Sequence, residues 1–272
     1  MYLVATPIGN LEDITFRAVR VLKEADLIAC EDTRQTRKLL DRYGIGTPTV
    51  SYHEHNEAER SQELTAKLLD GTTVALVSDA GMPLISDPGY RLVRAAIDNG
   101  IRVEAVPGAS AVLTALAASG LGTDSFHFGG FLPAKPGQRL HALKALKEET
   151  ATLIFYEAPH RIVDALAAVE EALGDRPVVV ARELTKMHEE LLRGTAAQVR
   201  AALVARESVK GEIVLLVGKR TGAAEDDTLL AEAVEACVAQ GIGRMEAIKA
   251  VAHRRGLSKR EVYGEVERVK GR

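Results

Sequence analysis

The sequence predicts an α/β fold of two sheet-bearing domains, the first built on a parallel sheet and the second on a mixed one, followed by a small helical tail. Three observations predict it. Short, continuous apolar runs alternate with amphipathic stretches through the first half, as in a parallel sheet covered by helices on both faces. Turns rich in Gly, Pro and Asp follow directly on those runs. Beyond a polar stretch at 221–227 the pattern becomes helical, punctuated by glycine and without strands. At 272 residues, 46% of them hydrophobic, the chain has ample material for cores of this size.

Taken in order, the apolar runs at 2–5, 27–30, 49–52, 74–77 and 103–106 read as strands, since buried parallel strands are apolar on both faces. Between them, 16–24, 36–42, 58–69 and 92–97 read as amphipathic helices. In 58–69 the positions Leu64, Leu68 and Leu69 fit helical spacing. This first domain spans 1–120. The stretch 123–137 is richer in Phe, Gly and Pro and opens a second domain, 121–220. Its strands are expected at 152–156, 178–181 and 213–217, with a short one at 191–195 and helices at 140–147 and 162–172. Crossovers mixed with hairpins imply a mixed sheet. The tail, 225–272, carries helices at 228–239, 244–254 and 258–269, separated by Gly241, Gly243 and Gly256. Ser258 and Glu261 form a capping box, and the whole has helix-turn-helix character.

Several function classes are disfavoured. Residues 1–7 read as a first strand rather than a signal peptide, and no apolar run approaches the length of a membrane span, so a cytoplasmic protein is expected. Cys30 and Cys237 lie far apart, which suits two buried thiols better than a disulfide or a zinc site. No GxGxxG follows the first strand, and no P-loop, HExxH or GxSxG occurs. The histidines show no metal-ligand spacing; His53 and His55 would point to opposite faces if strand-borne, so no metal is expected. Net charge is −3, yet residues 244–272 carry nine Lys or Arg against four Glu. A basic tail on an acidic body suits a polyanionic partner or a solvated helical surface.

The site is expected where four turns leave predicted parallel strands on one sheet edge. They are Thr6-Pro7-Ile8-Gly9-Asn10-Leu11, Glu31-Asp32-Thr33-Arg34, Ser78-Asp79-Ala80-Gly81-Met82-Pro83-Leu84-Ile85-Ser86-Asp87-Pro88-Gly89 and Val106-Pro107-Gly108-Ala109-Ser110-Ala111. The last opens a helix of small residues, with free N–H groups and close backbone approach.

Together with Tyr156-Glu157-Ala158-Pro159-His160-Arg161 and Ala181-Arg182-Glu183-Leu184-Thr185-Lys186, these segments resemble the tetrapyrrole-methylase superfamily, and within it the branch that methylates ribosomal RNA. The resemblance covers essentially the whole chain. It implies S-adenosyl-L-methionine bound between the two domains and 2′-O-methylation of a cytidine in small-subunit (16S) ribosomal RNA. It also implies a homodimer acting on assembled 30S particles. By position, the family's cofactor contacts fall on Pro7, on Asp79, Ala80, Gly81, Leu84 and Ile85, on Ser110 and Ala111, on Phe155 and Tyr156, on Leu184, and on Glu212 and Ile213. A ribose hydroxyl is a poor nucleophile, so a base or a nearby cation would assist it. Glu31, Asp32, Arg34, Glu183, Lys186 and His188 are the candidates, with Lys186 and Asp32 foremost. Tyr52, Phe131, Tyr156 and Tyr263 are candidates for base stacking, and Lys135, Arg139, His160, Arg161 and Lys186 for a basic rim. Two alternatives remain at this point: a methylase of a small tetrapyrrole, and a non-catalytic RNA-binding module.

Overall fold

The computed structural model of the chain describes residues 1–220, 230–254 and 257–270. Its contacts divide it into two compact units, Met1–Arg220 and Thr221–Arg272. The polar stretch expected at 221–227, the helix start at 228 and Gly256 lie outside the described residues.

The first unit holds two five-stranded sheets. In the first, β1 (Tyr2–Val4), β2 (Leu27–Cys30), β3 (Thr49–Ser51), β4 (Val74–Leu76) and β5 (Glu104–Val106) are all parallel, in the order β3-β2-β4-β1-β5. Successive strand residues face opposite sides, so a run such as Ile28-Ala29-Cys30 needs a helical layer on each. Helices α1 (Phe16–Glu24) and α2 (Thr33–Arg42) supply one, with Ala18, Val21, Leu22 and Leu40 packed on Ile28 and Cys30. Helices α3 (Glu57–Leu69) and α4 (Tyr90–Asp98) supply the other, with Leu64, Leu68 and Leu92 packed on Ala29 and Leu76. Helix α2 starts at Thr33 rather than 36, because the Asp32 carboxylate caps it by accepting from the Arg34 N–H at 2.8 Å.

Helix α5 (Ala111–Ser119) leaves the first sheet and packs on the second. It is apolar on nearly all sides, burying Val112, Ala115 and Leu116 against the sheet and leaving Leu113 exposed on the other face. The second sheet is mixed. Strands β6 (Phe126–Phe131), β7 (Thr152–Glu157), β8 (Pro177–Arg182), β9 (Glu190–Thr195) and β10 (Ile213–Val217) lie in the order β6-β7-β10-β8-β9, with only β6 and β7 parallel. Strand β10, last in sequence, is third in the sheet, and all of its residues are buried. The inner face presents Ile154, Val179, Ala181, Val214 and Leu216 to Val112, Ala115 and Leu116 of α5. The outer face presents Leu153, Phe155, Val180 and Leu215 to α6 (Pro136–Ala145), α7 (Ile162–Leu173) and α8 (Ala196–Val204). Helix α6 begins at Pro136, earlier than the amphipathic pattern suggests, because proline is well suited to a first helical turn.

The second unit packs α9 (Leu230–Ala239), α10 (Arg244–Arg254) and α11 (Lys259–Lys270) around Val234, Cys237, Ile248, Val251, Val262 and Val266. The expected capping box is present: Ser258 N–H donates to Glu261 at 2.7 Å, and Glu261 N–H donates to Ser258 Oγ at 3.3 Å. Cys30 and Cys237 are buried free thiols. No described helix is long and apolar enough to cross a membrane.

Candidate active site

The turns that leave β1 and β4 adjoin at the carboxyl edge of the first sheet, where open α/β sheets bind ligands. They are tied by a two-residue bridge, with Thr6 N–H donating to Gly81 O at 2.9 Å and Gly81 N–H to Thr6 O at 3.0 Å. Thr6 Oγ1 also donates to Ser78 O at 3.1 Å. Gly81 makes this pairing at φ 83°, in the left-handed region that side chains disfavour. The turn after β2 joins through Asp32 N–H, which donates to Asp79 Oδ1 at 3.1 Å. From the second sheet, Thr185 Oγ1 accepts from Asn10 N–H at 3.1 Å, fixing the β8–β9 connection against the β1 turn. Gly9 is part of that fit: a Cβ there would lie 2.6 Å from Lys186 Cγ.

These loops enclose a cavity of about 380 Å³ beneath the second sheet, within the usual range for small-molecule sites. Ile8, Met82, Ile85, Phe131, Tyr156, Leu184 and Val214 give it apolar walls, and Ser110 and Ala111 bring the start of α5 to it. Its charged lining residues are Asp87, Glu157 and Glu212, with no Lys or Arg among them. Burial pushes the Asp87 carboxyl up, against a hydrogen bond from Ser78, and the Asp79 charge adds to the rise. Among the described residues, Leu84, Ser86, Glu183 and Thr185 are the only non-glycines at positive φ. All four lie in the loops that supply Ile85, Ser86 and Leu184 to this cavity, so backbone strain is concentrated at the site.

A second cavity, of about 320 Å³, shares Ile8, Ala80 and Glu212 with the first. Thr6, Pro7, Gly9, Leu11 and Asp79 line it, with Gln35, Thr36, Lys38 and Leu39 of α2 and with Lys186. Lys186 Nζ lies 2.9 Å from Glu183 Oε1 and 2.9 Å from Glu212 Oε2. Partial burial alone would lower its pKa, but the hydrogen bonds it donates to Glu212 and Glu183 outweigh that and raise it, so the side chain is an ammonium. Burial raises the Asp79 carboxyl, offset in part by the Asp32 N–H and reinforced by the Asp32 charge. Glu31 is raised by burial and by Asp79 and Asp87.

Of the residues singled out from the sequence, Ala80, Gly81, Ile85, Ser110, Ala111, Tyr156, Leu184, Glu212 and Ile213 line the first cavity. Pro7, Asp79 and Lys186 line the second instead. Leu84 packs beneath, in the core with Leu76 and Leu92. Phe155 is corrected by the alternation of its strand: Tyr156 faces the cavity, so Phe155 faces α6 and α7, buried in the outer core. Asp32 lines neither cavity. Its carboxylate caps α2 and pairs with Arg34 at 2.9 Å, which holds its pKa down at about 2 and makes it a feeble base. Tyr52 is buried, with its hydroxyl bonded to Glu57 and Ser61, and Arg139 is buried rather than on a rim. His53 and His55 follow β3 in a turn, where their rings meet edge to face at 6.0 Å. Met82 lies in the loop singled out; Asp87, Glu157, Ala181, Val214 and the α2 residues were not singled out as contacts. For α2 no signal existed, since Gln35 and Lys38 read as an ordinary exposed helical face.

The sheet order, the bridged turns and the cavity between the sheets define a class. Residues 1–200 match the family model of the Tetrapyrrole (Corrin/Porphyrin) Methylases, and the chain belongs to that family. Its relatives narrow the branch. The chain is 54% identical over 270 residues to ribosomal RNA small subunit methyltransferase I of Halalkalibacterium halodurans, covering 97% of this chain and 93% of the relative. It is 56% identical over 227 residues to the protein of the same name from Mesorhizobium japonicum, covering 83% and 77%. Among solved structures, it is similar in fold to the uroporphyrin-III C-methyl transferase of Thermus thermophilus complexed with S-adenyl homocysteine. That likeness has a TM-score of 0.55 and 21% identity and covers 80% of this chain and 96% of the other.

Proposed function

We propose that the chain transfers a methyl group from S-adenosyl-L-methionine to the 2′-hydroxyl of a cytidine in small-subunit ribosomal RNA, acting in the cytoplasm as a homodimer on assembled 30S particles. The cofactor lies between a first domain, 1–120, and a second, 121–220, and the tail, 225–272, engages RNA. The observation that carries the reading is the first cavity. Its carboxylates and apolar walls, without a Lys or Arg, suit an adenosine that carries a cationic sulfonium and suit a polyphosphate poorly. The names of the curated relatives support small-subunit ribosomal RNA as the acceptor.

When bound, S-adenosylmethionine supplies an electrophilic methyl group, so the protein's part is placement and proton handling. Ile85, Tyr156, Leu184 and Val214 would wall the cofactor's adenosine, and Asp87 and Glu212 would offset the positive charge of its sulfonium. The second cavity receives the acceptor nucleotide, where the Lys186 ammonium lowers the cost of charge on the 2′-oxygen. Asp79, a carboxylate raised by burial in that cavity, takes the hydroxyl proton. In the tail, Lys249, Lys259, Arg260 and Tyr263 are exposed and combine charge with a stacking surface.

The test is incubation with methyl-labelled cofactor and 30S particles lacking the modification, followed by nucleoside analysis. Label in 2′-O-methylcytidine is expected; label absent from the particles, or passed to a porphyrinoid precursor instead, overturns the reading. Asp79→Asn is expected to lower turnover about 100-fold. It should also abolish the acid limb of the pH–rate profile, because the wild-type base is lost as pH falls through its raised pKa.

A further inference from the structure

Beside the Glu157-Ala158-Pro159 edge of the first cavity lies a group of cations that methyl transfer does not use. Helices α6 and α7 begin there, with Lys135 and Arg161 at their N-cap positions, and neither start has a side-chain cap. The two starts adjoin. Arg161 Nη2 donates to Leu132 O, just before α6, and Arg139 in the first turn of α6 faces Asp164 in the first turn of α7 at 3.8 Å. His160 stands exposed at the same corner.

The charges here do not balance internally. Glu157 is fully buried, accepts from Ala158 N–H at 2.8 Å and lies 3.1 Å from Arg161 Nε, and its one charge is shared among Arg161, Arg139 and His160. Arg139 is 3% exposed, yet among the described residues its Nε has no acceptor and the one carboxylate within 4 Å of it, that of Asp164, is a loosely held, 72% exposed side chain. Arg161 Nε likewise makes no aligned hydrogen bond. The first turn of α6 adds no acid, and the corner holds Lys135, Arg139 and Arg161 against Glu157 and Asp164. A guanidinium buried with so loose a partner is costly. Two uncapped helix N-termini reinforce the same positive field.

We propose that this corner is a phosphate seat for the acceptor RNA: a backbone phosphodiester rests on His160, Arg161 and the free first-turn amides of α7, flanked by Lys135, with Arg139 as the buried charge beneath. The seat rests on the proposed RNA acceptor and adds to it a contact that positions the strand at the cavity mouth without reading its bases.

The experiment pairs two readouts. Binding of a short cytidine-containing oligoribonucleotide is measured across salt for the wild type and for Lys135→Ala/His160→Ala, both exposed positions, with S-adenosylhomocysteine affinity as the control for folding. A roughly five- to tenfold loss of RNA affinity is expected, with the salt slope reduced by about 1 to 2 and cofactor affinity unchanged. Equal RNA affinity and slope in variant and wild type overturn the seat. Separately, the His160 ring resonances are followed by NMR as dimethyl phosphate is added. If the wild type takes no RNA but these resonances shift, and Lys135→Ala weakens the shift, the seat stands and the RNA acceptor falls. No shift with either probe overturns the seat.

Discussion

Lys186 lies between Glu183 and Glu212, and those two carboxylates decide what it can do. With its pKa raised above the ordinary lysine range, it cannot accept a proton near neutrality and acts only as a cation. Lys186→Met is expected to cut single-turnover methyl transfer about 100-fold or more while leaving cofactor affinity within a few-fold. Equal losses in both would assign it to cofactor binding. Gly81 answers to conformation rather than space. A Cβ there would meet Ile8 and Ala109 no closer than 3.5 Å, but φ 83° is hostile to a β-branched residue. Gly81→Val is therefore expected to cost about 1–3 kcal/mol of stability and to abolish cofactor binding by calorimetry, with the far-ultraviolet circular dichroism unchanged. At this scale the sequence was only partly legible. The turn residues were visible as Gly, Pro and Asp clusters. That Asp32 spends its carboxylate on Arg34 and a helix start was not, because a capping Asp and a catalytic Asp look alike without coordinates.

Among the elements, α4 shows how a helix start can depend on a distant chain. Its N-cap, Gly89, has no side chain to offer, and Glu57 at the start of α3 substitutes. Glu57 Oε1 accepts from Gly89 N–H at 3.1 Å and from the Tyr52 hydroxyl at 3.1 Å. Glu57→Ala should cost about 1–2 kcal/mol, read as a lowered Tm, and should loosen the loop that ends at Gly89. Most strands and helices were legible, because continuous apolar runs and 3.6-residue periodicity survive without tertiary knowledge, but α8 was not read from the sequence. What faces what was not. Phe155 and Tyr156 are adjacent aromatics on β7, and only the position of α5 shows that Tyr156 takes the cavity side.

At the scale of the whole molecule, the cross-links between distant segments set the response to acid. Glu190, at the start of β9, receives Arg206 at 2.7 Å and Arg182 at 3.2 Å, and its pKa is held down at about 2. A carboxylate depressed in the fold stabilises above its unfolded pKa of roughly 4.3, and that contribution is lost as pH falls towards about 2. Glu190→Gln should thus lower Tm at pH 7, with the gap to wild type closing across that window; a constant gap would remove the ion network from the explanation. The helical unit has its own core, so deleting 225–272 should leave the first unit folded while weakening and flattening the salt dependence of RNA binding. Strand order was illegible throughout, since nothing in the run 213–217 announces that it inserts between β7 and β8. That insertion has a consequence for synthesis. Helix α5 leaves the ribosome with an apolar face whose partner, β10, follows more than 90 residues later. At roughly 5–20 residues per second, the nascent chain carries that face uncovered for on the order of 5–20 s. Every copy of this protein passes through a period in which its site does not exist and its stickiest helix is open to chaperones.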